Sequence, residues 1–196
     1  VEGANILTRN LMIFGQGAIR SHPYMLKELL ALSDEDGERG LAEFDRQFWQ
    51  HAGHSVVNAF KAFVRGWTGG LVSPAPADVS LSGHWRQLSR YAAAFALLAD
   101  LSLLTLGGAL KRKEMLSARL GDILAELYLG AAVLKRFEDE GRQDADRPLV
   151  DFIMVRGRQR MGVAFKGILA NLPARWAAFL VRLIAFPLGV PHPEPK

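Results

Sequence analysis

The sequence predicts an all-α protein: two short N-terminal helices, an up-and-down four-helix bundle, and an apolar C-terminal helix. Three observations carry this. Apolar side chains recur at steps of three and four over several long stretches, the period of a helix with one buried face. The prolines fall between those stretches rather than inside them. The connections are short, so that consecutive helices become antiparallel neighbours, as in bundles.

Taken in order, Val1–Arg20 opens on the carboxylate of Glu2, then Gly3, and runs into Ile6, Leu7, Leu11, Met12 and Phe14 at helical spacing. The His22-Pro23 step ends that helix, and Pro23 can start another because a first-turn proline forfeits no hydrogen bond. Tyr24 to Leu32 continue it. Ser33–Gly40 (SDEDGERG) is charged, reads as a solvated linker, and is the best internal boundary. Leu41–Trp67 carries Leu41, Phe44, Phe48, Ala52, Val56, Phe60, Phe63 and Trp67 along one stripe, which calls for burial of that face.

Gly69–Ser80, with Pro74 and Pro76, is a loop. His84 to about Leu110 is apolar on most sides and should be the central helix. Gly107-Gly108 marks a close crossing or a bend, with the cations Lys111, Arg112 and Lys113 after it. Met115–Phe137 aligns Leu116, Leu120, Ile123, Leu127, Ala131 and Leu134, with Gly141 beyond its end. Pro148 opens the last bundle helix, Leu149–Leu172, whose apolar positions are Phe152, Val155, Val163, Ile168 and Leu169. The tail, Pro173–Lys196, holds an apolar run from Ala174 to Phe186 and ends in prolines. The expected units are therefore residues 1–33, 40–172 and 173–196.

Composition narrows the chemistry. Of 196 residues, 49% are hydrophobic and 22% charged, an ordinary globular balance. No cysteine is present, which excludes disulfides, thiolate metal sites and a cysteine nucleophile. The formal net charge of +4 favours anionic partners such as phosphate-bearing cofactors or a membrane surface, but the basic residues lack the dense aromatic-interleaved stripe of a nucleic-acid binder. No signal peptide is visible, and no uninterrupted apolar run reaches the roughly 18 residues of a spanning helix.

Glu2 has two readings on local chemistry: a carboxylate complementing a helix dipole, or a base beside a glycine that lets a planar ligand approach. The wording of the whole segment distinguishes them. Glu2-Gly3-Ala4-Asn5-Ile6-Leu7-Thr8-Arg9, continuing into Phe14-Gly15-Gln16-Gly17-Ala18-Ile19-Arg20, resembles the C-terminal signature of flavin-dependent acyl-CoA dehydrogenases, in particular the long bacterial fatty-acid β-oxidation form. Ser117–Gly141 (SARLGDILAELYLGAAVLKRFEDEG) resembles the extra helical domain those enzymes carry after their catalytic helices.

That resemblance implies that Glu2 removes the α proton of an acyl-CoA thioester while the β hydrogen leaves as hydride to FAD. It implies that Gly3 lies near the cofactor, that Arg9 is by position a structural or cofactor-proximal residue, and that the first unit ends the catalytic helical domain while the bundle is accessory. Many relatives carry a threonine and a glutamine that touch FAD where this chain has Ala4 and Ile6, so those contacts are not carried over. A fatty acyl-CoA substrate, an electron-transfer flavoprotein or similar acceptor and a homo-oligomer are further implications; the expected place is cytoplasmic, peripheral on the inner membrane if the tail helix touches lipid. With its base at the second position, the chain is expected to be the C-terminal part of a longer enzyme and inactive alone. Desolvation by substrate and flavin would raise a glutamate from its reference of about 4.3 toward that task, against the opposite pull of a helix N-terminus.

The tail helix admits two roles. Arg175, Trp176, Phe179, Arg182 and Phe186 suit a membrane interface, arginines toward head groups and tryptophan at the boundary; or the segment packs against the bundle or against the part of the longer enzyme expected to precede this chain. The non-catalytic alternative for the whole chain is a helical module for membrane docking or dimerisation. His51 and His54, three apart on a helix, are a potential metal pair without a third ligand in the sequence, and read as structural. Glu138, Asp139 and Glu140 read as a solvated helix end.

Overall fold

The structure is a computed structural model that describes residues 22–76 and 79–191, together with Gly3, Ala4, Thr8, Gly17 and Arg20. The helix expected over residues 1–20 therefore lies almost wholly outside the described residues. Six α-helices follow one another from residue 25 to residue 185, and no strand occurs among the described residues. They are α1 (Met25–Leu32), α2 (Gly37–Trp67), α3 (Ser82–Leu106), α4 (Glu114–Asp139), α5 (Arg147–Asn171) and α6 (Arg175–Ala185).

Local chemistry sets most boundaries. His22 takes the place of a side-chain cap for α1: its Nδ1 accepts the backbone N–H groups of Tyr24 and Met25 at 3.3 and 3.2 Å. Asp36 accepts from the N–H groups of Glu38 and Arg39 and starts α2 at Gly37, so the second half of the stretch expected to be a linker is helical. At the end of α4, Gly141 adopts φ +88° while the Arg142 N–H returns to the Phe137 carbonyl at 3.0 Å, a glycine stop. Gly107, at φ +48°, ends α3, and a 3₁₀ turn (Gly107–Arg112) follows. Nothing lies within 4 Å of a side chain built at Gly107 or Gly108, so the pair makes a bend and not a close crossing. Pro148 sits in the first turn of α5.

Consecutive helices pack on each other in chain order, α1 on α2, α2 on α3, α3 on α4 and α4 on α5, and α6 packs across α2, α3 and α5. One core runs through α2 to α6. α3 contributes Leu88, Tyr91, Ala94, Leu97 and Leu98, as its central place required; α4 contributes Leu116, Leu120, Ile123 and Leu134 from the stripe read in the sequence. α5 buries Val150, Met154, Met161, Phe165, Ile168 and Leu169, whereas Phe152 and Val163 face outward. α6 adds Ala177, Ala178, Val181 and Ala185, small residues that let its backbone come close. Phe186, just beyond, packs its ring at a tilt to Tyr91 and edge-on to Phe165, at ring separations of 6.3 and 5.0 Å. Ser82–Leu110 is apolar and long enough to cross a membrane, a length the unbroken-run criterion passed over; here it is the core helix against which α2, α4 and α6 pack.

Glycines place the closest contacts. A Cβ at Gly40 would lie 2.6 Å from the Ala31 carbonyl oxygen, and one at Gly66 would lie 2.6 Å from that of Ala185, so α2 rests backbone-to-backbone against α1 near its start and against α6 near its end.

α2 departs from expectation. Its inward residues are small or polar: Gly40, Gln47, Ala62 and Gly66 are the buried ones, and His51, Ser55 and Arg65 bond to neighbours. Most of the stripe expected to be covered is exposed, with Val56 at 69%, Phe60 at 66% and Leu41 at 64% of their full accessibility, while Phe44 and Ala52 are half-buried. The inward surface of the helix is chosen by hydrogen bonds and close backbone approach.

Candidate functional site

Glu2 and Arg9 lie outside the described residues, and of the three residues given to the catalytic and cofactor site only Gly3 is described. It is exposed, with no atom within 4 Å of a Cβ built on it. The chain downstream of this segment enters the fold at His22, in a polar junction of α1, α2 and α3.

That junction gathers residues from three separate stretches. His51 donates from Nδ1 to Glu28 at 2.8 Å, and its ring lies 4.6 Å from that of His22 and stacks on Tyr24 at 5.6 Å. His22 Nε2 is 3.4 Å from an oxygen of Asp100, whose other oxygen accepts the Ser55 hydroxyl at 3.0 Å. Burial alone would raise the Asp100 carboxyl. The hydrogen bonds from His22 and Ser55 outweigh it and hold the carboxyl below its ordinary value.

His22, His51 and Asp100 together have the residue types of a metal site, with candidate ligand atoms within 4.8 Å of one another. The partner of His51 in this set is thus His22 and not His54. Tautomer chemistry opposes the metal reading. Because His22 Nδ1 accepts two backbone N–H groups, its proton resides on Nε2 and is directed at Asp100, leaving no lone pair for an ion. The arrangement does structural work, tying the entry of the chain to α2 and α3. Sequence alone had no means of finding it, since His22 and Asp100 have no local pattern connecting them to His51.

A second histidine is committed in the same way. His84 Nδ1 accepts from Arg158 at 3.1 Å, so Nε2–H donates to Asp151 at 2.7 Å. With both ring nitrogens occupied, His84 offers no base to a substrate. Burial lowers the Arg158 guanidinium from its ordinary value and raises the Tyr91 phenol. At the end of α4, Glu138 accepts the Ser80 N–H and hydroxyl, both at 2.9 Å, and pairs with Arg142. What read as a solvated cap therefore clamps the α2–α3 loop, while Asp139 and Glu140 pair along the helix with Lys135 and Arg136.

The tail residues divide. Phe186 is 3% exposed within the aromatic core, which corrects its assignment as a membrane contact, because a lipid-facing ring must reach the surface. Arg175 donates to the carbonyls of Leu169 and Ala170, at 3.3 and 2.8 Å, and Arg182 reaches Leu169 at 3.5 Å, so both complement the C-terminal end of α5. Trp176 and Phe179 point outward, as does Leu183. Trp67, Phe179, Leu183, Lys166 and Arg182 line one groove of about 800 Å³ between the ends of α2, α5 and α6.

No solved structure matches the chain. The model of one protein family, described as "Acyl-CoA dehydrogenase, C-terminal, bacterial type", matches residues 19–196, beginning after Glu2, Gly3 and Arg9 and spanning every helix from α1 to α6. An all-helical chain matched over nearly its whole length in this way belongs to the bacterial-type acyl-CoA dehydrogenase C-terminal family.

Proposed function

We propose that this chain is the C-terminal part of a flavin-dependent acyl-CoA dehydrogenase that oxidises fatty acyl-CoA to trans-2-enoyl-CoA in β-oxidation, with Glu2 as the base for the α proton. The observation that carries the reading is the family match over residues 19–196, directly preceded by the Glu2-Gly3 segment. Gly3 has open space around it, which leaves room for a planar ring; Arg9 is the other cofactor-proximal candidate. FAD, when bound, would accept the β hydrogen as hydride. His22 and His84 stand outside this chemistry because both ring nitrogens of each are engaged within the fold. On this reading residues 1–33 close the catalytic helical domain, residues 40–172 form the accessory bundle with the tail after it, the intact enzyme is a homo-oligomer that passes electrons to an electron-transfer flavoprotein or a similar acceptor, and the chain alone is inactive.

Replacing Glu2→Gln in the intact enzyme is expected to remove most turnover while the flavin absorbance stays at full occupancy, since the amide keeps the shape and loses the base. Near-normal turnover would refute the role. A second reading is favoured by the outward Trp176, Phe179 and Leu183 of α6: the chain is also a docking module that holds the enzyme on a lipid surface.

A further inference from the structure

The seam between α4 and α5 does not close along its whole length, and glycine is the reason. Gly130 of α4 and Gly157 of α5 both line a cleft of about 280 Å³, walled further by Leu88 of α3 and by Leu129, Phe152 and Met154. A Cβ built on Gly130 would reach Leu88 at 3.1 Å and Met154 at 3.4 Å, and one built on Gly157 would meet only a Glu126 oxygen at 3.2 Å. A side chain at either position would occupy the cleft. The hollow is therefore written into the sequence by two residues that decline to fill it.

Along the seam the cleft runs into a second hollow of about 570 Å³, the two sharing Glu126, Arg156 and Arg160. Such sizes are those of small-molecule sites, roughly 300 to 1,000 Å³. The two ends differ in chemistry. Leucine, phenylalanine and methionine dominate the first, whereas the second brings Arg119 of α4 together with Arg156 and Arg160 of α5. The acids on that wall are Asp122 and Glu126, and Glu126 is taken by Arg160 at 2.9 Å. Arg158, at the edge of the first cleft, is committed to His84. Arg119 and Arg156 are bonded to no carboxylate among the described residues. Arg156 also stands one helical turn from Arg160, where like charges repel, so an anion between the helices would relieve α5.

The shape of the missing partner follows from these two ends. A guanidinium fork matches a carboxylate or a phosphate through two parallel hydrogen bonds. An apolar chain attached to that anion would lie along the cleft and cover Leu129 and Phe152, which are now 53% and 47% exposed. We propose that the α4–α5 seam binds an amphipathic anion, its apolar chain between Gly130 and Gly157 and its carboxylate or phosphate on Arg119 and Arg156. None of these residues is one given to the catalytic chemistry or to the lipid surface, so failure of the site would leave both of those readings as they stand.

Calorimetric titration of the 196-residue chain tests it with three soluble probes of equal chain length. Octanoate and octyl phosphate carry the two anions, and octanol carries neither. Saturable one-to-one binding of an anionic probe is expected, with octanol about tenfold weaker, and the tighter anion identifies the head group. Arg119→Gln/Arg156→Gln should weaken that anion by about tenfold or more at an unchanged thermal midpoint, because neither side chain pairs within the fold. Gly157→Leu should abolish binding of all three probes by filling the cleft. If that variant does not fold, Phe152→Ser serves in its place and should weaken all three, since the ring is exposed and only its wall of the cleft is lost. Absence of saturable binding by either anion, or full binding by the arginine variant, would overturn the site. Octanol binding as tightly as the anions would remove the part given to the arginines, and inorganic phosphate binding as tightly as octyl phosphate would remove the part given to the cleft.

Discussion

α2 and α4 look alike in sequence and have opposite fates in the fold. Both are long and carry an apolar stripe at steps of three and four. In α4 the stripe points inward, and Leu120, Ile123 and Leu134 are fully buried against α3 and α5. In α2 the stripe points outward, and the inward side is made of histidine, serine, arginine and glycine that bond to or touch α1, α3 and α6. Amphipathic spacing thus reports that a helix has an apolar side, but not that the same chain supplies its cover. For α4 the apolar side holds the fold together. For α2 the polar side does the holding, and the apolar side is left exposed.

Three experiments would break or sharpen this contrast. The largest effect is expected from Leu134→Ala in α4, which leaves a cavity in the closed core and should cost about 2 to 5 kcal/mol in chemical denaturation. Phe60→Ala in α2 removes a larger side chain yet should stay within about 0.5 kcal/mol. Equal losses in the two variants would show that the α2 stripe is covered within the chain, and the contrast would fall.

Next comes Gly66→Ala, which puts a methyl group 2.6 Å from the Ala185 carbonyl oxygen and forces α2 and α6 apart. A loss of about 1 to 3 kcal/mol is expected, read as a lower thermal midpoint. A neutral result would mean that the two helices are not in backbone contact.

The smallest effect is in acid and probes the polar side of α2. The folded state holds the Asp100 carboxyl below its ordinary value of 3.8, so it binds fewer protons there than the unfolded chain does. The stability this confers is complete above 3.8 and is lost as pH falls through the lower folded value. The thermal midpoint of the natural sequence should therefore drop more steeply below about pH 4 than that of Asp100→Asn, which has no such group to titrate. Parallel curves would remove Asp100 from the forces that seat α2.

Much of the fold is legible in residue order because its signals are local. Pro148 in the first turn of α5 and Gly141 after α4 act over a few residues, and they mark helix ends wherever the rest of the chain goes. The boundary read at Ser33–Gly40 was less legible, since its charges suggested a linker while Asp36 was already capping the next helix. The aspartate and glycine have a clear helical meaning only when the bonds they make are known. Of the candidate site, the Glu2 motif was readable as a string of residues; the association of His22 with His51 and Asp100 was not, because nothing at short range couples them.

From sequence alone came the helices, the central place of α3, the inward stripe of α4 and the family resemblance, all of which follow from side chains within a few positions of one another. Tertiary structure alone decided that α6 belongs to the core through its alanines, that Phe186 is buried, that His22 and His84 have no free nitrogen, and that α2 shows its aromatic side to the outside. The reason is physical: a helix forms from contacts three or four residues apart, whereas the surface it hides is settled by competition among partners distant in the chain, and here hydrogen bonds and glycine contacts outweighed the apolar stripe.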